Sequence, residues 1–191
     1  MSLYSHAVIF AGGKSSRMGQ DKALLPFGKH TSLTAYQYEK FKKVFDTVSI
    51  STKYNKFDFD CPLIIDIYEE SSPLVGILSI FKVLENVDTV FIISVDAPFI
   101  NEKVIHTLIE KDQKGVDAIV AKSPNGIQPL CGLYKRSILP LAQEQYNKDN
   151  HKLQDLLDIA KTKIVDFQDN TLFTNMNHIE EYKKAFKLSL T

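Results

Sequence analysis

The run Ala7-Val8-Ile9-Phe10-Ala11-Gly12-Gly13 carries a short apolar stretch straight into a pair of glycines, and Lys14, Arg17 and Lys22 follow it. Glycines let backbone N–H groups come close to an anion because no Cβ stands in the way. A strand that opens into such a turn points its amides at phosphate oxygens, and the cations neutralise charge that amide dipoles alone cannot. The chemistry this favours is polyphosphate binding, with Lys22 and Arg17 stabilising a phosphoryl group during transfer. Lys22 leads into the apolar Ala23-Leu24-Leu25-Pro26, which would hold it at the edge of packed structure and aim its ammonium. The plainer reading is a surface lysine whose stem lies along apolar surface. Neither common phosphate signature fits. A P-loop would need glycine where Val8 stands, and a dinucleotide fingerprint would need glycine where Lys14 stands.

Two carboxylates stand out beside this turn. Asp96 ends the deeply apolar Phe91-Ile92-Ile93-Ser94-Val95, where a charge is poorly solvated and needs a cation or donors. Mg²⁺ bridging Asp96 and a triphosphate would serve, and the alternative is a turn or helix-capping role. Asp66 closes Leu63-Ile64-Ile65. Its carboxylate could accept the N1–H and 2-amino donors of a guanine edge, a pair that adenine and cytosine do not present, or it could be an ordinary strand-end aspartate. Gly76 sits in the first turn of a helix opened by Ser72-Pro73, where glycine is unfavourable by about 1 kcal/mol and marks close approach of a nucleobase or another helix. Asn175-Met176-Asn177 could bind ligand or cap the last helix, and the histidines show no metal spacing.

The elements that must position these groups alternate between β-branched runs and helical periodicity. Strands are expected at His6 to Ala11, Thr47 to Ser51, Leu63 to Asp66, Thr89 to Val95, Asp117 to Ala121, Gln128 to Tyr134 and Thr162 to Phe167. Helices are expected at Thr31 to Phe45, from Ser72-Pro73 to Glu85, from Asn101 to near Gly115, Arg136 to Tyr146, Lys152 to Ala160 and Ile179 to Leu188. The alternation predicts an α/β fold in three layers, a mostly parallel sheet with helices on both faces and a Rossmann-like nucleotide-binding half. Ligands in such sheets sit beyond the carboxyl ends of strands, which is where the glycine turn, Asp66 and Asp96 all fall. A length of 191 residues suits one domain spanning 1–191. With 23 basic against 23 acidic residues, the chain has no global attraction for nucleic acid or an anionic membrane. Cys61 and Cys131 lack metal or redox spacing, and no apolar stretch is long enough to span a bilayer. A reduced, cytoplasmic setting is expected.

Taken together these residues resemble the molybdenum cofactor guanylyltransferase family. The nucleotidyltransferases around that family begin Leu-Ala-Gly-Gly-x-Ser-x-Arg-Met-Gly-x-Asp-Lys, and positions Phe10 to Lys22 match it with Phe10 for the usual Leu. Ser72-Pro73-Leu74-Val75-Gly76 is similar to its Gly-Pro-Leu-x-Gly, and Asp96-Ala97-Pro98-Phe99 to its Asp-x-Pro-aromatic segment. Gln128-Pro129-Leu130 and Asn175-Met176-Asn177 fit weaker motifs. The resemblance implies nucleotide contacts at Phe10, Ala11, Gly12, Lys22, Asp66 and Asp96, with Gly13 in the same turn and Mg²⁺ on Asp96. It further implies GTP and molybdopterin as substrates, and transient protein partners before and after in cofactor synthesis. Two departures bear on base selection and the pterin side: Ser51 stands where relatives commonly carry Asn, and His178 follows Asn177 where they often continue Thr-Pro. The same chemistry with CTP, activation of a sugar or alditol phosphate, and a non-catalytic nucleotide-binding regulator are the alternatives.

Overall fold

The computed structural model of the chain describes residues 5–12 and 19–190. Its strands join one seven-stranded sheet in the order β3-β2-β1-β4-β6-β5-β7. They are β1 His6–Phe10, β2 Thr47–Thr52, β3 Leu63–Ile65, β4 Thr89–Ser94, β5 Ala118–Ser123, β6 Gly126–Lys135 and β7 Thr162–Asp166. All run parallel except β6, which is antiparallel to both β4 and β5. The helices are α1 Leu33–Phe41, α2 Pro73–Val83, α3 Glu102–Glu110, α4 Leu139–Asn147, α5 Leu153–Ile159 and α6 Ile179–Leu188.

Alternation along the central strands builds the three layers. Ala7 and Ile9 of β1, with Phe91 and Ile93 of β4, pack into one core with Leu33 and Phe41 of α1, Leu108 of α3 and Ala185 of α6. Val8 and Phe10, with Val90 and Ile92, face the opposite core with Leu74 and Ile77 of α2, Ala142 of α4 and Leu156 of α5. Strands buried on both faces read as unbroken apolar runs, which is how β1 and β4 appear in the sequence. Each large apolar side chain among them stabilises the fold by about 1.5–3 kcal/mol on burial.

Caps fix where the helices begin. Ser32 accepts from the Ala35 amide, Ser72 from Val75 and Asn101 from Val104. The helix expected over Thr31 to Phe45 ends four residues early, at Phe41. Tighter turn bonds succeed it, from Lys43 N–H to the Lys40 carbonyl and from Val44 N–H to the Phe41 carbonyl. These leave Phe45 buried against Phe41 but outside the helix, so its spacing marks burial rather than helix. The helix expected from Arg136 opens as a 3₁₀ turn, Arg136–Ile138, and becomes α4 only at Leu139. The Arg136 guanidinium is drawn instead to the carbonyls of Phe81, in the last turn of α2, and of Val87, in the connection to β4.

A hairpin turn at Pro124-Asn125-Gly126 joins β5 to β6, with Gly126 at φ +118°. At Gly132 a Cβ would lie 2.3 Å from the Ile119 carbonyl oxygen, beside the register shift after Val120. That contact is with backbone, so only glycine lets the two strands close there.

Candidate active site

Four parallel strands, β1 to β4, end along one edge of the sheet, and each gives way to a polar segment. Backbone bonds continue past the strand ends: Ala11 N–H donates to the Ser51 carbonyl, Asp66 N–H to Thr52 and Val95 N–H to Phe10, each at 3.0 Å. Gly12, Asp66 and Asp96 are thereby carried to neighbouring positions. Because β6 is antiparallel, it begins at this same edge. Cys131 pairs with Ile93, which sets Leu130 alongside Ser94.

A cavity of about 140 Å³ opens between Phe10, Gly12, Ser51, Asp66 and Gly76. Ser51 Oγ donates to Asp66 Oδ1 at 3.4 Å. Burial pushes the Asp66 carboxyl above the ordinary carboxylate range, while the Ser51 hydroxyl and the Lys53 ammonium pull it back. Thus Ser51 touches the carboxylate that faces the cavity. Gly76 lines this cavity, and its near neighbour within the chain is an aromatic ring rather than another helix. A Cβ there would lie 2.4 Å from Cε1 of Phe10, the aromatic ring that replaces the usual leucine. The missing side chain makes room for that ring in the cavity wall.

Lys22 and Asp96 meet directly as an ion pair, with their side chains 21% and 14% exposed. Asp21 places the lysine. Its Oδ1 accepts from Ala23 N–H and starts the 3₁₀ turn Lys22–Leu24. Lys22 Nζ also lies 3.4 Å from the Met176 carbonyl and from Asn177 Oδ1. The other Asp96 oxygen receives the Ser94 hydroxyl, and the Asp96 carbonyl accepts Met176 N–H. The cation that a half-buried Asp96 requires is therefore supplied within the chain. Asn177 is a neighbour of Lys22 rather than a helix cap; its own N–H is held by Glu181.

The turn carrying Asp96 is gripped from α1. Gln37 Nε2 donates to the Ala97 carbonyl at 3.0 Å, and Lys40 Nζ to the Pro98 carbonyl at 2.7 Å. Burial pushes the Lys40 ammonium down to about 8. A second cavity, of about 450 Å³, lies between Asp96, Gln128, Lys152, Phe173 and Asn175. The two cavities share Pro73, Ser94 and Leu130 in their linings, so they adjoin at these residues.

Among the described residues, no group of three or more His, Cys, Asp or Glu could hold a metal ion alone. Asp96 Oδ2, the Met176 carbonyl and Asn177 Oδ1 lie around Lys22 Nζ, and a single carboxylate is a fitting partner for a hard divalent cation whose other ligands are phosphates and water.

The structure thus brings Phe10, Gly12 and Asp66 to the first cavity and Asp96 to the second, where Lys22 reaches it as an ion pair. Ala11 is buried at the end of β1 and offers its carbonyl to Lys56. Gly13, Lys14 and Arg17 lie outside the described residues. Sequence reasoning missed Ser94, Gln37, Lys40 and Lys56. Ser94, two residues before Asp96, could have been found as the polar residue of an apolar strand. The others act across long sequence separations and leave no local pattern.

The sequence model of the MobA-like NTP transferase domain matches residues 7–165. A molybdenum cofactor guanylyltransferase of Campylobacter jejuni strain 81116 is 39% identical over 187 residues, 97% of this chain and 96% of that protein. One of Helicobacter pylori strain G27 is 32% identical over 95% of this chain and 91% of its own length. Among solved structures, molybdopterin-guanine dinucleotide biosynthesis protein A of Archaeoglobus fulgidus superposes with a TM-score of 0.80, covering 96% of this chain and 97% of that one. At 18% identity, that likeness speaks to the fold alone.

Proposed function

This chain belongs to the MobA-like NTP transferase family, and from that premise we propose that it transfers GMP from Mg·GTP to the terminal phosphate of molybdopterin. An oxygen of the acceptor phosphate attacks the α-phosphorus of GTP, and the bond from that phosphorus to the bridging β-oxygen breaks. The products are the guanine dinucleotide cofactor and pyrophosphate. The observation that carries this reading is the pair of adjoining cavities, with Asp66 lining one and Asp96, paired with Lys22, lining the other.

In this reading Asp66 takes the N1–H and 2-amino donors of guanine, held in place by Ser51. Phe10, Ala11, Gly12 and Gly13 flank the nucleotide. The attacking group is a phosphate monoester, already anionic at neutral pH, so no strong base is needed. Neither cavity has a histidine among its described lining residues. The obstacle is bringing two anions together, and Lys22, Arg17 and the backbone donors of the glycine turn lower that repulsion. Asp96, held by Ser94, would carry Mg²⁺, which supplies charge neutralisation on the phosphates. The ion pair keeps Lys22 aimed until a substrate phosphate competes for it. The larger chamber suits the acceptor, with Lys152 and Gln128 near its phosphate and pterin.

We place the reaction in the cytoplasm and in one domain, with transient docking to the proteins that precede and follow it in cofactor synthesis. No described helix is long and apolar enough to cross a membrane. Pyrophosphate release measured with GTP, CTP, UTP and ATP in the presence of molybdopterin and Mg²⁺ tests the proposal. Release with GTP far above the others is expected. A preference for CTP would overturn the base assignment, and no release with any nucleotide would overturn the transferase reading.

A further inference from the structure

We propose that Lys56 is a positioning residue of this active site: its ammonium fastens Ala11, just past β1, to Asp21 and so sets where Lys22 stands. The inference rests on the reading of Lys22 given above. Lys56 belongs to the connection between β2 and β3, away from every motif in the sequence. Its Nζ donates to the Ala11 carbonyl at 2.9 Å and to Asp21 Oδ2 at 2.5 Å. Only 8% of its side chain is exposed. Ala11 is the last residue before the glycines, and Asp21 the last before Lys22. Ala11 directly follows β1 and Asp21 caps the short turn that begins at Lys22, and one cation holds both.

Asp21 passes the constraint on. While Oδ2 takes Lys56, Oδ1 takes Ala23 N–H and the Asp21 carbonyl takes Leu24 N–H. These bonds define the short turn whose first residue is Lys22, and Lys22 reaches Asp96 from it. Ala11 is tied on its other side to Ser51 through its N–H. A single buried ammonium thus references the glycine turn and Lys22 to the same strand ends that carry Ser51 and Asp66. Removing it leaves a carboxylate and a carbonyl competing for the same space without their shared donor, so the turn at Lys22 loses its anchor.

The test is a double-mutant cycle. Lys56→Met, Lys22→Ala and the double variant are compared in turnover and in Mg·GTP affinity measured by calorimetry, each with a thermal melt. Lys56→Met is expected to lower kcat/KM by about tenfold in the native background and by less than about twofold when Lys22 is already alanine. Lys56→Arg, which keeps a two-bond cationic donor, is expected to recover most of the loss. Asp21→Asn should reproduce the Lys56→Met phenotype, and serves in its place should Lys56→Met not fold. An equal loss in both Lys22 backgrounds would overturn the proposal, because a direct phosphate contact or a purely structural role gives additivity. A fallen melting temperature with unchanged kinetics of the folded enzyme would overturn it too. The calorimetric arm needs no acceptor, so failure of guanylyl transfer in the wild type would refute that function and leave the Lys56 cycle readable.

Discussion

Replacing Gly76 with alanine exposes how the nucleotide chamber is built. Alanine in a helix interior ordinarily improves stability over glycine by about 1 kcal/mol. Here the new methyl would stand 2.4 Å from Cε1, 2.8 Å from Cζ and 3.3 Å from Cδ1 of Phe10. Carbon atoms prefer about 3.5–4.0 Å, so the ring must retreat by roughly 1 Å. Overpacking of this kind costs about 1–3 kcal/mol, which leaves a net loss near 1 kcal/mol after the helical gain. The ring's open side is the cavity of about 140 Å³ that it already lines. Moving there takes space from the nucleotide proposed to bind in it, and a loss of about 1.4 kcal/mol in binding is a tenfold rise in Kd. Differential scanning calorimetry and Mg·GTP titration of Gly76→Ala read the two effects. Adding Phe10→Leu should relieve both, since the shorter side chain no longer meets the methyl. A Gly76→Ala protein as stable as the wild type with unaltered GTP affinity would refute the reasoning, as would failure of Phe10→Leu to relieve it.

The other predictions concern the pieces that hold this edge together. Asp96→Asn should lower metal-dependent turnover at least about 100-fold while circular dichroism stays native, because the fold does not depend on that charge; unchanged metal dependence would count against Asp96. Gly132→Ala faces a backbone oxygen at 2.3 Å that cannot step aside, so it should cost about 3 kcal/mol or prevent folding, measured by urea unfolding. For Lys40 the folded chain releases the proton near about 8 and the unfolded chain near 10.5, so between those values the unfolded state binds more protons and stability rises with pH. Relative to Lys40→Met, the wild type should gain about 2 kcal/mol from about pH 8 to about pH 10, and a flat difference would show that the ammonium is not buried at a cost.

The parts of the fold written in the sequence are those with local causes. Ser32, Ser72 and Asn101 start helices where an oxygen meets an orphan amide, and β1 and β4 are apolar on both faces because both faces are covered. The placement of β6 between β4 and β5 has no local signal. The hairpin turn specifies its pairing with β5, but its pairing with β4 is a long-range choice of the sheet. The end of α1 is obscured because Phe45 keeps helical spacing while leaving the helix. At the site, glycines and strand-end aspartates advertise themselves. Lys56 and Gln37 do not, because a lysine in a loop and a glutamine on a helix gain meaning only from Asp21 and Ala97, far off in the chain.

Transfer of the nucleotidyl group between the two chambers is tested most directly by the fate of the α-phosphate. With GTP labelled at the α-phosphate, molybdopterin and Mg²⁺, the label should appear in a pterin-bearing dinucleotide, in step with unlabelled pyrophosphate. Label recovered in GDP or free GMP, or left in GTP while the acceptor stays unmodified, would contradict it.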